Sequence, residues 1–315
     1  MIFTIAVFVI ALVVLVISSE AVIRAAIKIS EYFGISQLAI AFILVAVATS
    51  IPDFMVSVNA SLIGKTSLAI GDVLGSSIAN ICLVLGVAAL IRKINVRREQ
   101  TIESAELFLL ISLIPLVVLS RGILTVAEGL ILVILFFLYA FFVIKKRFTL
   151  NIKDGISRKH IYKTFTAFLL GILLVFVSSK FIVEEGIVIA GFIGVPEAIV
   201  GMTLIAFGTT LPELAIDFTA IRRGYTALAI GDILGSSVVN LTLVLGTAIA
   251  INPTTANFSI FGLPIVFLVV ANSFLFYNLL KHEGINNKAG LVFLLLYIVF
   301  IVVSFSSKAL FTPVT

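Results

Sequence analysis

AVATSIPDFMVS (Ala46–Ser57), followed by GKTSLAIGDVLGSSIANICLVLG (Gly64–Gly86), returns 160 residues later as AFGTTLPELAID (Ala206–Asp217) and GYTALAIGDILGSSVVNLTLVLG (Gly224–Gly246). The longer segments agree at 16 of 23 positions without a gap. Each copy sets an acid beside a proline inside a hydrophobic run: Pro52–Asp53 and Pro212–Glu213. Hydrocarbon makes a carboxylate expensive unless it is hydrated, paired or coordinating a cation. Two such acids at equivalent positions point to an ion-binding site formed where two repeats meet.

Composition agrees with a membrane setting. Sixty-one per cent hydrophobic residues and 12% charged residues, with a mean hydropathy of +1.29, exclude an ordinary soluble domain. Ten stretches are long enough to cross a bilayer, near 2–19, 38–63, 67–90, 105–120, 123–144, 164–183, 198–221, 226–250, 258–280 and 287–306. The connections are short, so one membrane domain is predicted over 1–315. Repeat one covers 1–144, a basic linker 145–163, and repeat two 164–315. Five segments per repeat force the second copy to enter the membrane upside down, the inverted arrangement of many secondary transporters. The similarity also reaches the first segment of each half. VISSEAV (Val16–Val22) matches FVSSKFI (Phe176–Ile182), and Gly34 matches Gly194, all at one offset.

The basic residues set the orientation. With both termini outside, 17 of the 21 Lys and Arg fall inside, and only Lys65, Arg121, Lys180 and Lys308 fall outside. The net charge of +5 thus reads as cytoplasmic loops facing anionic lipid, with no nucleic-acid partner. A multi-pass protein of the cell membrane is expected, with the bilayer as its partner and no obligatory protein partner. Segment 1 lacks a basic leader and a small-residue cleavage site, so no cleavable signal peptide is expected. Cys82 is the single cysteine, excluding an intrachain disulfide, and is read as a packed side chain. His160 and His282 form no metal-ligand pattern. Glu20 and Lys180, at equivalent positions, are read as snorkelling to the interface.

The chemistry is concentrated in the repeated motifs. Proline lacks an N–H and clashes with the carbonyl four residues back, so Pro52 and Pro212 are expected to kink or break their helices. Carbonyls near Ala46–Ala48 and Ala206–Gly208 then lose donors, which is tolerated where they line a cavity or meet an ion. The hydroxyls of Thr49, Ser50, Thr209 and Thr210 add oxygen, and Asp53 and Glu213 add charge. The result is a hard, all-oxygen set suited to Ca2+ and compatible with Na+. In the second motif Asp72, Ser76 and Asn80 share one helix face, as do Asp232, Ser236 and Asn240. Gly71, Gly75, Gly231 and Gly235 let helices approach closely. Asn80 and Asn240 fall level with Asp53 and Glu213. Asp72 then lies toward the outside and Asp232 toward the inside. Each either guards the mouth of an access path or is a helix-start acid on backbone N–H groups. Asp217 faces Ser57 in the alignment and is read as a local surface pair with Arg222 and Arg223, with an accessory place on the access path as the alternative.

At these residues the chain resembles the cation/calcium exchanger superfamily, and specifically the compact prokaryotic sodium/calcium exchangers. The resemblance spans all ten segments. The family pattern places GTS-x-PE in segments 2 and 7 and GN-x-x-GS-x-x-x-N/D in segments 3 and 8. It implies that Thr49, Ser50, Asp53, Ser76 and Asn80 face Thr209, Thr210, Glu213, Ser236 and Asn240 around the ions. It adds the carbonyls of Ala46 and Ala206 as ligands. It further implies that segments 1 and 6 slide as a pair across the other eight. Three departures bear on coupling: Asp53 replaces the usual glutamate, Asn240 stands where many relatives carry aspartate, and Asp72 and Asp232 replace the asparagine of GN. The paired asparagines followed by LVLG are also similar to proton/calcium exchangers of the superfamily.

The expectation is an all-α antiporter exchanging Ca2+ for Na+ by alternating access, with no cofactor. Asp53, Glu213, Asn80 and Asn240 are its principal metal ligands. Proton coupling is the alternative, because two protons also neutralise Asp53 and Glu213. A gated cation channel could use the same acids as a selectivity ring. A membrane enzyme is disfavoured, because no metal cluster or nucleophile–base pair stands at interfacial depth.

Overall fold

The computed structural model describes residues 2–32, 46–95, 109–114, 116–147, 158–222, 224, 226–256 and 258–306. The described residues are overwhelmingly helical. The chain runs through α1 (Ile2–Tyr32), α2 (Ala46–Thr49), α3 (Ile51–Leu62), α4 (Thr66–Ile91), α5 (Leu109–Ser120), α6 (Val126–Arg147) and α7 (Arg158–Ile193). It continues through α8 (Glu197–Arg222), α9 (Thr226–Val239 with its continuation to Ile251), α10 (Phe258–His282) and α11 (Asn287–Ser306). Among the described residues seven helices are long and apolar enough to cross a membrane. Leu109–Ser120 and Val126–Phe142 are shorter apolar helices, and α3 covers only the end of the second predicted span. Gly34, 38–45, 105–108, the linker residues 148–157, Arg223 and Lys308 lie outside the described residues.

Burial sorts the helices into a centre and a periphery. Within the spans, 78% of Thr66–Ile91 and 83% of Ala229–Ile251 are buried, against 24% of Ile2–Val22 and 33% of Tyr162–Ile193. The motif helices α4 and α9 therefore form the middle, while α1 and α7 pack along one another outside it. α1 turns Ile2, Phe3, Ile10 and Ile17 outward, as a helix bathed in hydrocarbon does. Near its foot, Glu20 pairs with Arg24 at 3.2 Å, and Lys180 lies 3.9 Å from Glu184. These two residues thus take a partner one turn on. α7 ends at Gly194, whose φ of +69° suits a residue without a Cβ. The amides of Gly194 and Val195 both return to the Ala190 carbonyl.

Small residues bring the central helices into backbone contact. A Cβ on Gly71 would lie 2.2 Å from the Ala198 carbonyl oxygen, and one on Gly75 would lie 2.2 Å from that of Met202. From the other side, a Cβ on Gly201 would lie 2.4 Å from the Leu68 carbonyl oxygen. The start of α8 thus lies directly on α4, as the glycine spacing predicts. Lys65 pairs with Glu197 at 2.7 Å beside this contact.

Short strands tie the repeats together. β1 (Ile94–Asn95) pairs antiparallel with β4 (Gly284–Ile285), and β2 (Ile123–Leu124) with β3 (Thr254–Thr255). β3 follows β1 by 160 residues and β4 follows β2 by 161, so each pairing joins one repeat to the other. The same offset relates two π-helical turns, Ala79–Val84 in α4 and Asn240–Val244 in α9. A π turn inserts an extra residue into the helix and is frequent at functional sites.

The prolines behave differently in the two halves. Pro52 sits in the first turn of α3, after a break at Ser50, where its missing N–H is harmless. Pro212 lies inside an unbroken helix, Ala206–Arg222. The expected break is therefore absent there. Thr210 Oγ1 donates to the Ala206 carbonyl at 2.7 Å, and Thr209 Oγ1 lies 3.1 Å from the same oxygen. These hydroxyls bind the turn before the proline, whereas the carbonyl that Pro212 itself leaves without a helical donor is that of Gly208.

Candidate functional site

Two equivalent chains of polar side chains cross the centre. In the first, Ser76 Oγ donates to Asp53 Oδ1 at 2.6 Å and lies 3.3 Å from Thr209 Oγ1. Thr209 Oγ1 in turn lies 3.5 Å from Asp72 Oδ1. In the second, Thr49 Oγ1 lies 2.9 Å from Ser236 Oγ and 3.4 Å from Asp232 Oδ1. Ser236 stands between Asp232 and Glu213. Each chain therefore borrows its threonine from the opposite repeat. Asn240 crosses as well, its Nδ2 donating to Asp53 Oδ2 at 3.4 Å, and Asn80 stands beside Glu213.

All of these side chains are buried. Thr49, Ser50, Asp53, Ser76, Thr209 and Asn240 are fully enclosed, and Asn80, Thr210, Glu213 and Ser236 nearly so. Yet many of their polar atoms find no hydrogen bond. Both carboxyl oxygens of Glu213, Ser50 Oγ, both amide atoms of Asn80 and Asn240 Oδ1 are orphaned. A buried polar atom left unpaired costs about 1–3 kcal/mol, and more when charged. A folded protein keeps such a cluster when something else satisfies it, and a cation satisfies oxygens without needing donors. The Ala46 and Ala206 carbonyls border the site. Ala46 oxygen accepts from the Ser50 amide and lies 3.1 Å from Thr49 Oγ1.

The donor chemistry fits a hard ion. Among the described residues no group of three or more His, Cys, Asp and Glu side chains has metal-ligand placement. A cation here would therefore meet a mixed set of carboxylate, hydroxyl, amide and carbonyl oxygens, as Ca2+ and Na+ accept. The acceptor carboxylates also orient the hydroxyls. A threonine hydroxyl that gives its proton to Asp72 or Asp232 keeps both lone pairs for a cation.

Three sequence readings are corrected by burial. Asp72 and Asp232 are 0% and 1% exposed, so neither stands at an open mouth in this conformation. Nor are they helix-start acids, since neither helix has an acid in its first turn. They lie in the interior because the motif face of α4 and α9 turns to the centre along its whole length. Asp217 is 1% exposed and so lies away from the surface. Arg222 lies over the Phe218 ring instead, 5.6 Å from its centroid, while Asp217 turns toward Asp232 and Glu213. Ser57, in the matching position, is buried beside Asp72. Its role went unnoticed in the sequence, although its alignment with Asp217 was the available signal. Cys82 is buried and packed as expected.

Residues 3–145 and 163–306 match the sodium/calcium exchanger protein family. The chain belongs to that family. It is 34% identical over 259 residues to the Escherichia coli inner membrane protein YrbG, covering 79% of this chain and 80% of YrbG. It is 28% identical to the Methanosarcina acetivorans sodium/calcium exchanger MaX1, covering 93% and 96% of the two chains. Among solved structures it superposes on the sodium-calcium exchanger NCX_Mj soaked with 2.5 mM Na+ and 10 mM Sr2+, with a TM-score of 0.72 at 25% identity. That match covers 96% of this chain and 98% of NCX_Mj. The chain is thus a membrane-embedded member of a cation-exchanging transporter family with the NCX_Mj fold.

Proposed function

We propose that this protein is a secondary active antiporter that exchanges Ca2+ for Na+ across the cell membrane by alternating access. The observation that carries the reading is the buried, donor-poor ring of oxygens around Asp53 and Glu213, assembled from both repeats. Its ligands are Thr49, Ser50, Asp53, Ser76, Asn80, Thr209, Thr210, Glu213, Ser236 and Asn240, with the carbonyls of Ala46 and Ala206. Ten spans in two inverted repeats, with both termini outside, set this ring near the bilayer midplane. No cofactor, enzymatic step or protein partner enters the scheme.

Charge explains exchange rather than leak. The empty site holds uncompensated buried carboxylates, and moving them past a low-dielectric barrier costs several kcal/mol per charge. Ca2+ or Na+ removes that penalty, so the barrier is crossed loaded in either direction. The peripheral pair α1 and α7 is suited to sliding over the central helices and exposing the site to each side in turn. A proton-coupled version is favoured by Asn240, which carries no charge where many sodium-coupled relatives have aspartate. Neutralising the two central acids tests the assignment. D53N and E213Q should each abolish Ca2+ transport in proteoliposomes, and wild-type exchange in both variants would sink it.

A further inference from the structure

The serine pair shared by VISSEAV and FVSSKFI has no part in the central site. In α7 it is Ser178 and Ser179, which are 3% and 0% exposed. Ser178 Oγ turns back into its own helix, 2.8 Å from the Leu174 carbonyl oxygen and 3.1 Å from that of Val175. Ser179 Oγ gives its proton to the Phe176 carbonyl at 2.8 Å, and its lone pairs are left to accept from Asn59 Nδ2 at 2.9 Å. Asn59 lies in α3, six residues beyond Asp53, and is 8% exposed. Its Nδ2 also donates to the Met55 carbonyl at 2.9 Å. Both amide hydrogens are thus used, and one of them ties α7 to the helix that carries Asp53.

This tie fits a single register of α7. The residues one turn from Ser179 are Val175 and Phe176 before it and Ile182 and Val183 after it. A shift of α7 by one turn, about 5.4 Å, therefore removes the acceptor and brings an apolar side chain in its place. A buried N–H that loses its partner is costly, and hydrocarbon offers it no replacement.

We propose that the Asn59–Ser179 hydrogen bond is a detent: it fixes the register at which α7 rests on α3 and weights alternating access toward the conformation of this structure. The aligned positions in repeat two, Thr219 and Ser19, also carry hydroxyls, so the sequence provides for one such contact per sliding helix. This inference rests on the sliding of α1 and α7 proposed above and deepens it.

Distances between spin labels in the purified full chain test it. α4 begins beside the end of α7, where Lys65 pairs with Glu197, so Ile91 stands at the far end. Labels at F192C on α7 and I91C on α4 therefore report displacement along α7; both positions are exposed, and Cys82 is buried. The labelled chain should show two distances whose ratio responds to Na+ and Ca2+. S179A and N59A should each move that ratio about 3- to 20-fold away from the distance of this structure. The double variant should go no further than either single one. S178A, whose hydroxyl bonds within its own helix, should leave the ratio unchanged, and a single symmetric gel-filtration peak establishes that each variant is folded. Two distances whose ratio S179A and N59A leave unmoved, or that S178A moves as far, overturn the detent alone. One distance in every variant, with and without ions, overturns the sliding itself and the detent with it.

Discussion

Thr49 and Ser236, from opposite repeats, meet hydroxyl to hydroxyl at 2.9 Å, and Thr209 and Ser76 make the exchanged contact at 3.3 Å. The first links α2 of repeat one to the motif helix α9, and the second links α8 of repeat two to the motif helix α4. The site is therefore a property of the interface between repeats, and neither half could assemble it alone.

Removing either threonine hydroxyl should weaken cation binding. T49A or T209A would remove a proposed cation ligand and a donor to Asp232 or Asp72, a loss of about 1–3 kcal/mol. That corresponds to roughly 5- to 150-fold in the Kd for Ca2+. T49S and T209S, which keep the hydroxyl, should recover most of the affinity in a calorimetric titration. Alanine variants with unchanged Kd would remove the hydroxyls from the ligand set.

The close contact of α4 with α8 should be intolerant of a methyl group. The Cβ introduced by G75A would lie 2.2 Å from the Met202 carbonyl oxygen. Overpacking of this kind costs about 1–3 kcal/mol, lowering the melting temperature in detergent by about 2–6 °C. G191A is the matched control, since a Cβ there meets nothing within 4 Å. Its melting temperature should be unchanged or slightly higher, because alanine is the better helix former.

Much of this architecture was legible in the sequence, for identifiable reasons. The duplicated motifs gave the repeats, and the i, i+4, i+8 spacing put Asp72, Ser76 and Asn80 on one inward face. The enclosure of that face was not legible. Distance along a helix axis says how far Asp72 stands from Asn80 but not what packs over it, and the glycine contacts of α4 with α8 cover it completely. Asp217 was misread because an acid five residues before an arginine looks like a surface pair. Only the packing reveals that Arg222 turns to Phe218. The π turns at Asn80 and Asn240 leave no signature in residue types. Nor does a proline in a hydrophobic run reveal whether its helix breaks, as at Ser50 before Pro52, or continues, as through Pro212.

Orientation can be read with surface chemistry. Arg121 belongs to the predicted outer side and is well exposed, whereas Asn151 lies in the basic linker. In intact cells a membrane-impermeant maleimide should label R121C and leave N151C unlabelled until the membrane is permeabilised. Cys82, at 1% exposure, should contribute no background. Labelling of N151C from outside would reverse the assigned topology.

Uptake of radiolabelled Ca2+ into proteoliposomes, comparing an outward Na+ gradient with an outward proton gradient, tests antiport most directly. The expected result is uptake driven by the Na+ gradient and absent without it. Uptake driven by protons alone would contradict sodium coupling and assign the carboxylates to proton exchange. Uptake that needs neither gradient would contradict antiport altogether and make the ring around Asp53 and Glu213 the filter of a channel.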